Sequence, residues 1–217
     1  MKILVTGCGI SGTVLLTRLM STFDNILEDN QVGHPKEVFQ GTKLRQYMLM
    51  DDSDKVLIRK GNHGMLFNGI IDEQEQEKQA TRIYPKLKVI NIIRNGRDVL
   101  ESKPVPGIAN LWIACIDQYF NYNHVIDANV RFEELLQSPD DVQDSLGEQL
   151  EFKWSHRFSS YPKFLQPPFT WSIKASHKLR TLDTTRINKQ VSESAIKSIC
   201  GSKYSHFCEL QERLGYD

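Results

Sequence analysis

Residues 7 to 13 read Gly-Cys-Gly-Ile-Ser-Gly-Thr, which puts three glycines, a serine and a threonine into seven positions. Glycine lets a backbone turn where a β-carbon would collide, and the hydroxyls of Ser11 and Thr13 are hydrogen-bond donors. The preceding Ile3-Leu4-Val5 is apolar on successive residues, as a strand buried on both faces must be. From about Thr13 the apolar residues recur at helical spacing. A helix that starts there leaves unpaired N–H groups and its positive dipole end pointing back into the loop. Strand, glycine loop and helix start together make an anion cradle, and the anion such cradles most often hold is phosphate.

Two templates meet in this loop. Gly7, Gly9 and Gly12 match the dinucleotide fingerprint G-x-G-x-x-G. Gly7 to Thr13 also fits the phosphate loop of ATP-binding proteins, apart from its missing lysine. The elements that must position the loop point to an α/β chain, with strands alternating with helices. Strands are predicted over Lys55–Arg59, Lys88–Ile93 and Asn129–Phe132. A dinucleotide fold also needs a second strand ending in an acid about twenty residues past the glycines. Ile26-Leu27 followed by Glu28-Asp29 is the candidate, and two apolar residues make a poor strand.

Helical expectations fill the intervals. Asp72–Arg82 is almost purely polar and predicts an exposed helix. Pro104 and Pro106 predict a chain break, followed by a long helix over Ala109–Val125 with Trp112, Cys115, Ile116 and Tyr119 facing the core. Asp140–Gly147 predicts a small helix, and Ser155–Trp171 a loop. Ser192–Leu214 predicts one closing amphipathic helix carrying Ile196, Ile199, Cys200, Phe207, Leu210 and Leu214 on a single stripe. Ligands of such sheets bind beyond the carboxyl ends of the strands. The glycine loop, Arg59 to Gly64 and Arg94 to Ser102 all fall at such ends, so they are expected to converge on one crevice.

Composition bounds the function. The chain has 217 residues, enough for a substantial core, and one domain over residues 1–217 is the expected count. Its 27 basic and 27 acidic side chains cancel, so nothing favours bulk binding to nucleic acid or to a membrane. The balance is uneven locally. Phe132–Phe152 carries seven acids and no Lys or Arg, which reads as a solvated acidic face. Lys174–Lys189 carries five basic residues against Asp183 alone and is a candidate anion-binding flank. Cys8, Cys115, Cys200 and Cys208 follow no metal-ligand spacing, so free thiols in a reducing cytoplasm are expected. No stretch has the length and apolarity of a bilayer span or a signal peptide.

The most specific signal follows the strand Lys88–Ile93. Arg94-Asn95-Gly96-Arg97-Asp98-Val99, with Ser102 eight residues after Arg94, resembles the 3′-phosphate-binding segment of sulfotransferases. That segment is an apolar strand, the run R-[DN]-x-[RK]-D-V, and the same serine spacing. Val130-Arg131-Phe132-Glu133-Glu134-Leu135, with Pro139 beyond it, is similar to the family's V-R-Y-E-D-L-x-x-x-P. Ser11-Gly12-Thr13 is similar to the end of its 5′-phosphosulfate loop, G-x-x-[KR]-S-G-T, with Ile10 where the family has a base. The basic run Thr185–Lys189 and the ending Leu214-Gly215-Tyr216 resemble its usual C-terminus. The resemblance spans nearly the whole chain.

The resemblance implies a P-loop-like α/β fold, with a mainly parallel central sheet flanked by helices. It also implies the donor 3′-phosphoadenosine 5′-phosphosulfate (PAPS) and transfer of a sulfuryl group, without a metal, to a hydroxyl or amine. The acceptor would be a small molecule, a carbohydrate or a peptide. Gly9, Ser11, Gly12 and Thr13 would hold the 5′ end of the nucleotide, and Arg94 and Ser102 its 3′-phosphate. Arg186 and Lys189 would fold over that phosphate from the basic flank. Arg97 and Asp98 are expected to be helix-surface or structural pair residues. Ile10 has no donor for a developing oxyanion, so Lys60 or Arg59 is the candidate replacement cation. In Arg59-Lys60-Gly61-Asn62-His63-Gly64, His63 is a candidate base, with Glu37 its rival. Two other readings stay open: an NAD(P)-binding oxidoreductase built on the glycine fingerprint, and a non-catalytic nucleotide-binding relative of sulfotransferases. A kinase ranks last, because the loop lacks lysine and no clear magnesium-binding acid follows.

Overall fold

The computed structural model describes residues 2–21, 26–28, 56–60, 86–154, 156–163, 182–188 and 190–216. Among these, five strands form one sheet: β1 Lys2–Gly7, β2 Ile26–Glu28, β3 Val56–Lys60, β4 Leu87–Ile93 and β5 Ala128–Arg131. Their order across the sheet is β2-β3-β1-β4-β5, and every neighbouring pair is parallel. The expected mainly parallel sheet is therefore parallel throughout its described strands. Ile26-Leu27, a poor strand by composition, is one because it needs a partner on one side only, at the sheet's edge next to β3.

The central position of β1 explains its sequence. It is paired on both sides and every residue from Lys2 to Gly7 is buried. Alternate residues serve opposite layers. Ile3, Val5, Ile90, Ile92, Ala128 and Val130 face a layer that contains Leu15, Leu16 and Leu19 of α1 (Thr13–Ser21). The same layer takes Leu135 of α4 (Phe132–Gln137) and Leu146 of α5 (Pro139–Leu150). Between these come α2 (Gly96–Ser102) and α3 (Pro106–Tyr122). Trp112 and Ile116 of α3 build the other layer with Ile93, with Ile196 of α6 (Glu193–Cys200) and with Phe207 and Leu210 of α7 (Tyr204–Arg213). Burying a side chain such as Phe207 or Leu210 contributes roughly 1.5–3 kcal/mol.

Four expectations need correction. Pro106 does not break the chain but opens α3 at its first turn, where no amide hydrogen is required of it. Phe132 is not the last residue of the fourth predicted strand but the first of α4. The closing helix is two helices, because Gly201 ends α6 with a positive φ of +55° and ψ of −128° that glycine takes readily, and a 3-10 turn over Gly201–Lys203 leads into α7. Within the predicted loop 155–171, Phe158–Lys163 is a 3-10 helix. The polar helix expected over 72–82 lies outside the described residues. The four cysteines are free thiols, three of them buried. No helix among the described residues is long and apolar enough to cross a membrane.

The helix α7 is docked on α3 partly by charge. His206 of α7 reaches Asp117 of α3 at 2.9 Å and Glu209 at 3.4 Å, and the hydrogen bond to Asp117 raises the imidazole above its ordinary 6.5. A raised folded-state value means the contribution is fully present below 6.5 and is lost as pH climbs through the folded value. Thermal melting of wild type and His206→Gln across that interval should therefore give a steeper fall with rising pH in the wild type. Parallel slopes would show that His206 carries no such linkage.

Candidate functional site

The loop between β1 and α1 is shaped by two left-handed residues, Gly12 at φ +97° and Ile10 at φ +71°. Gly12 has no alternative. A β-carbon there would lie 2.3 Å from Cδ2 of Phe132. At Gly7 the constraint is close approach, since a β-carbon would sit 2.5 Å from the Ile92 carbonyl oxygen of β4. Ser11 is fully buried and closes the turn by donating both its amide, at 3.1 Å, and its hydroxyl, at 2.6 Å, to the Cys8 carbonyl. Leu16 N–H then donates to Gly12 at 3.0 Å as α1 begins. The amides before that bond belong to the helix's first turn and face the loop. Ile10 is a β-branched residue in a conformation such residues rarely take. Its half-buried side chain packs on the apolar layer around α3.

Arg94, the residue after β4, ties this loop to the rest of the crevice. Its Nη1 donates to the Ile10 carbonyl at 3.0 Å and its Nη2 to the Arg186 carbonyl at 2.6 Å. Its guanidinium carbon lies 4.6 Å from the centre of the Phe132 ring. The Trp112 indole donates to the Arg94 carbonyl at 3.1 Å and fixes its backbone. Arg94 is 1% exposed, and its Nε has no hydrogen-bond partner among the described residues. Burial lowers the guanidinium's pKa; Asp98 opposes that shift, and the nearby positive charge of Arg186 adds to it. The Arg186 guanidinium lies 5.5 Å from the same Phe132 ring. Two cations thus share one aromatic ring beside the glycine loop.

The segment after Arg94 is held from several sides. Asn95 caps α2 by accepting from Arg97 N–H at 2.8 Å, and its own N–H donates to Glu133 at 2.8 Å. The second oxygen of Glu133 accepts from the Tyr216 hydroxyl at 2.9 Å. Burial, and then the Glu133 charge, raises the Tyr216 hydroxyl well above its ordinary value. Arg131 donates to the Leu214 carbonyl and stacks on the Tyr216 ring. The run Arg131-Phe132-Glu133 therefore works on two sides, its charged residues clamping residues 214–216 and its aromatic ring supporting the loop. Glu133 is a structural acceptor, an exception to the solvated acidic face expected of its region.

The sequence-predicted residues divide into three groups. Gly9, Ser11, Gly12, Thr13, Arg94 and Arg186 come together around the loop. Lys60 ends β3 opposite Val5 of β1, so its backbone lies one strand away from the loop's approach. Ser102 ends α2, is exposed, and donates its hydroxyl to the Asp98 carbonyl at 2.7 Å. His63, Lys189 and Glu37 lie outside the described residues. Of the two roles expected of Asp98, the surface one is excluded and the structural one stands: it is 1% exposed and accepts from Asn188 N–H at 3.0 Å. Phe132 gets no role of its own from the sequence beyond its aromatic place in the V-R-[FY]-E run, and its position under the loop is a finding of the structure. Among the described residues no group of three or more His, Cys, Asp or Glu side chains is placed to hold a metal.

Comparison with solved structures decides the fold. The sulfotransferase domain of the Synechococcus PCC 7002 olefin synthase superposes with a TM-score of 0.68 over 99% of this chain and 94% of its own, at 12% identity. The sulfotransferase domain of the curacin biosynthetic pathway gives 0.67 over 99% and 97%, also at 12%. The chain has the sulfotransferase fold. A mouse sulfotransferase solved with PAP gives 0.50 over 100% and 85%, at 15% identity. No protein-family model and no curated protein sequence matches the chain. In this sulfotransferase fold β1 lies between β3 and β4. Glu28 at the end of β2 is thereby two strands from the glycine loop, whereas the dinucleotide fingerprint sets its ribose-binding acid on the strand that follows the loop's own helix and lies beside β1.

Gly12→Ala should destabilise the protein by roughly 2–4 kcal/mol, because it combines a left-handed strain with a collision against Phe132. Phe132→Leu in the same chain should recover part of that loss by clearing the ring. Chemical denaturation of both variants checks this, and equal stability of Gly12→Ala and wild type would contradict it.

Proposed function

We propose that the chain binds PAPS across the glycine loop and the β4–α2 junction and transfers its sulfuryl group to a hydroxyl or amine. The observation that carries this reading is Arg94, a buried guanidinium bonded to the glycine loop on one side and to the Arg186 turn on the other. The residues fit the nucleotide. The start of α1 and the glycine loop suit the 5′ phosphosulfate. Arg94 and Arg186, set against one ring with the Arg94 Nε unpartnered among the described residues, suit the 3′-phosphate, and a planar fork of donors matches that group. An anion there would relieve the repulsion between the two guanidinium groups. The mouse structure solved with PAP supports a nucleotide of this type.

In the transfer the acceptor oxygen or nitrogen attacks sulfur in line, the bond from sulfur to the 5′-phosphate oxygen breaks, and the acceptor's proton passes to a base. The products are a sulfate ester or sulfamate and PAP. Catalysis in such a reaction comes mainly from positioning and charge stabilisation. We assign the charge at the leaving oxygen to Lys60, because β3 ends beside β1 and Ile10 turns its side chain onto the apolar layer. His63, with Glu37 as the alternative, is the proposed base. Ile10 also favours a second reading, a nucleotide-binding relative that does not catalyse.

Thermal-shift titration tests the ligand. PAP at about 100 times its dissociation constant should stabilise the chain by about 2.7 kcal/mol, with no comparable response to NADH or ATP. Arg94→Ala should abolish the response. Stabilisation by NADH but not PAP would favour the oxidoreductase reading instead. Sulfate transfer by wild type across an acceptor panel, falling at least about 100-fold in Lys60→Ala, supports the enzyme and its replacement cation. Transfer gained only in Ile10→Lys supports the non-catalytic reading.

A further inference from the structure

The turn Thr184–Arg186 and the two residues after it are fastened to the β4–α2 junction at both ends. At one end Arg94 donates to the Arg186 carbonyl at 2.6 Å; at the other Asn188 N–H donates to Oδ2 of Asp98 at 3.0 Å. Between them Ile187 is buried in the apolar layer beneath α1. Asn188 stands at φ +57°, a left-handed conformation that gives the chain a sharp change of direction. Asp98 is a carboxylate at 1% exposure, and such a group is retained only where partners offset its desolvation. It lies in the first turn of α2, where the helix dipole favours negative charge. Its position in the motif run after Arg94 thus puts an anion under the same turn that Arg94 holds.

We propose that Asp98 is a positioning residue for nucleotide binding. By accepting from Asn188 N–H it fixes the turn that presents Arg186 beside Arg94, and so sets the affinity of the 3′-phosphate subsite. The carboxylate touches no ligand and acts through Arg186. This assignment rests on the PAPS reading of the crevice.

The test is a double-mutant cycle on the full chain, with PAP affinity measured by calorimetry. Asp98→Ala should weaken PAP by about 10-fold, the loss of one charge-assisted hydrogen bond. The same substitution in an Arg186→Ala background should cost less than about 2-fold, because the residue it positions is gone. Asp98→Asn keeps an acceptor oxygen and should restore most of the affinity. Hydrogen exchange without nucleotide gives an independent readout: the Asn188 amide should exchange faster in Asp98→Ala than in wild type or Asp98→Asn. Should Asp98→Ala fail to fold, Asp98→Asn and Asp98→Glu enter the same cycle. An undiminished loss in the Arg186→Ala background, or wild-type affinity in Asp98→Ala, overturns the assignment while leaving the PAPS reading intact. Absence of PAP binding by wild type overturns both.

Discussion

A buried guanidinium holds the crevice together. The Arg94 guanidinium makes three contacts: two backbone carbonyls from segments 84 and 92 residues away in the chain, and the ring of Phe132. Taking an arginine out of water is unfavourable unless its donors are met. The fold engages Nη1 and Nη2 with carbonyls that would otherwise need partners of their own, those of the left-handed Ile10 and of the Arg186 turn. Loop shape and turn position are thus consequences of satisfying one side chain. The backbone of Arg94 is in turn set by Trp112, which joins this polar junction to the apolar layer under α3.

Phe132 has the complementary role. Gly12 lies against its ring edge, and both guanidinium groups lie over the ring. An aromatic ring serves here because it fills the volume under the loop and offers a negative face to cations. Placing that ring at the first position of α4, directly after β5, puts it at the carboxyl end of the sheet with the loop and Arg94. Strand order then brings together pieces that are distant in sequence, since β1 lies between β3 and β4.

Much of this was legible from the chain alone, for physical reasons. β1 and β4 carry adjacent apolar residues, Ile3-Leu4-Val5, Val89-Ile90 and Ile92-Ile93, as strands buried on both faces must, and the glycines at 7 and 12 announce close approaches that only glycine allows. The clustering of the loop with Arg94 followed from their places beyond strand ends, and that of Arg186 from the family resemblance. Other features were hidden. Pro106 reads as a break until its neighbours show that it stands in a first helical turn, and Gly201 reads as a tolerated glycine inside a long amphipathic stripe until its positive φ is known. Asp98 carries no local sign of burial, because one of its partners is the amide of Asn188, 90 residues away. Sequence patterns report which face of an element is apolar, and they are silent on which distant amide a carboxylate will meet.

The clamp on residues 214–216 bears on how the protein is made. Arg131 and Glu133, the neighbours of Phe132, grip the Leu214 carbonyl and the Tyr216 hydroxyl, groups 83 residues further along. During synthesis the loop and the sheet strands leave the ribosome long before residues 214–216 do. The floor of the crevice must therefore wait, without these contacts to Arg131 and Glu133, until that segment emerges and docks. Such long-range closure slows folding and leaves the nascent chain dependent on a late event.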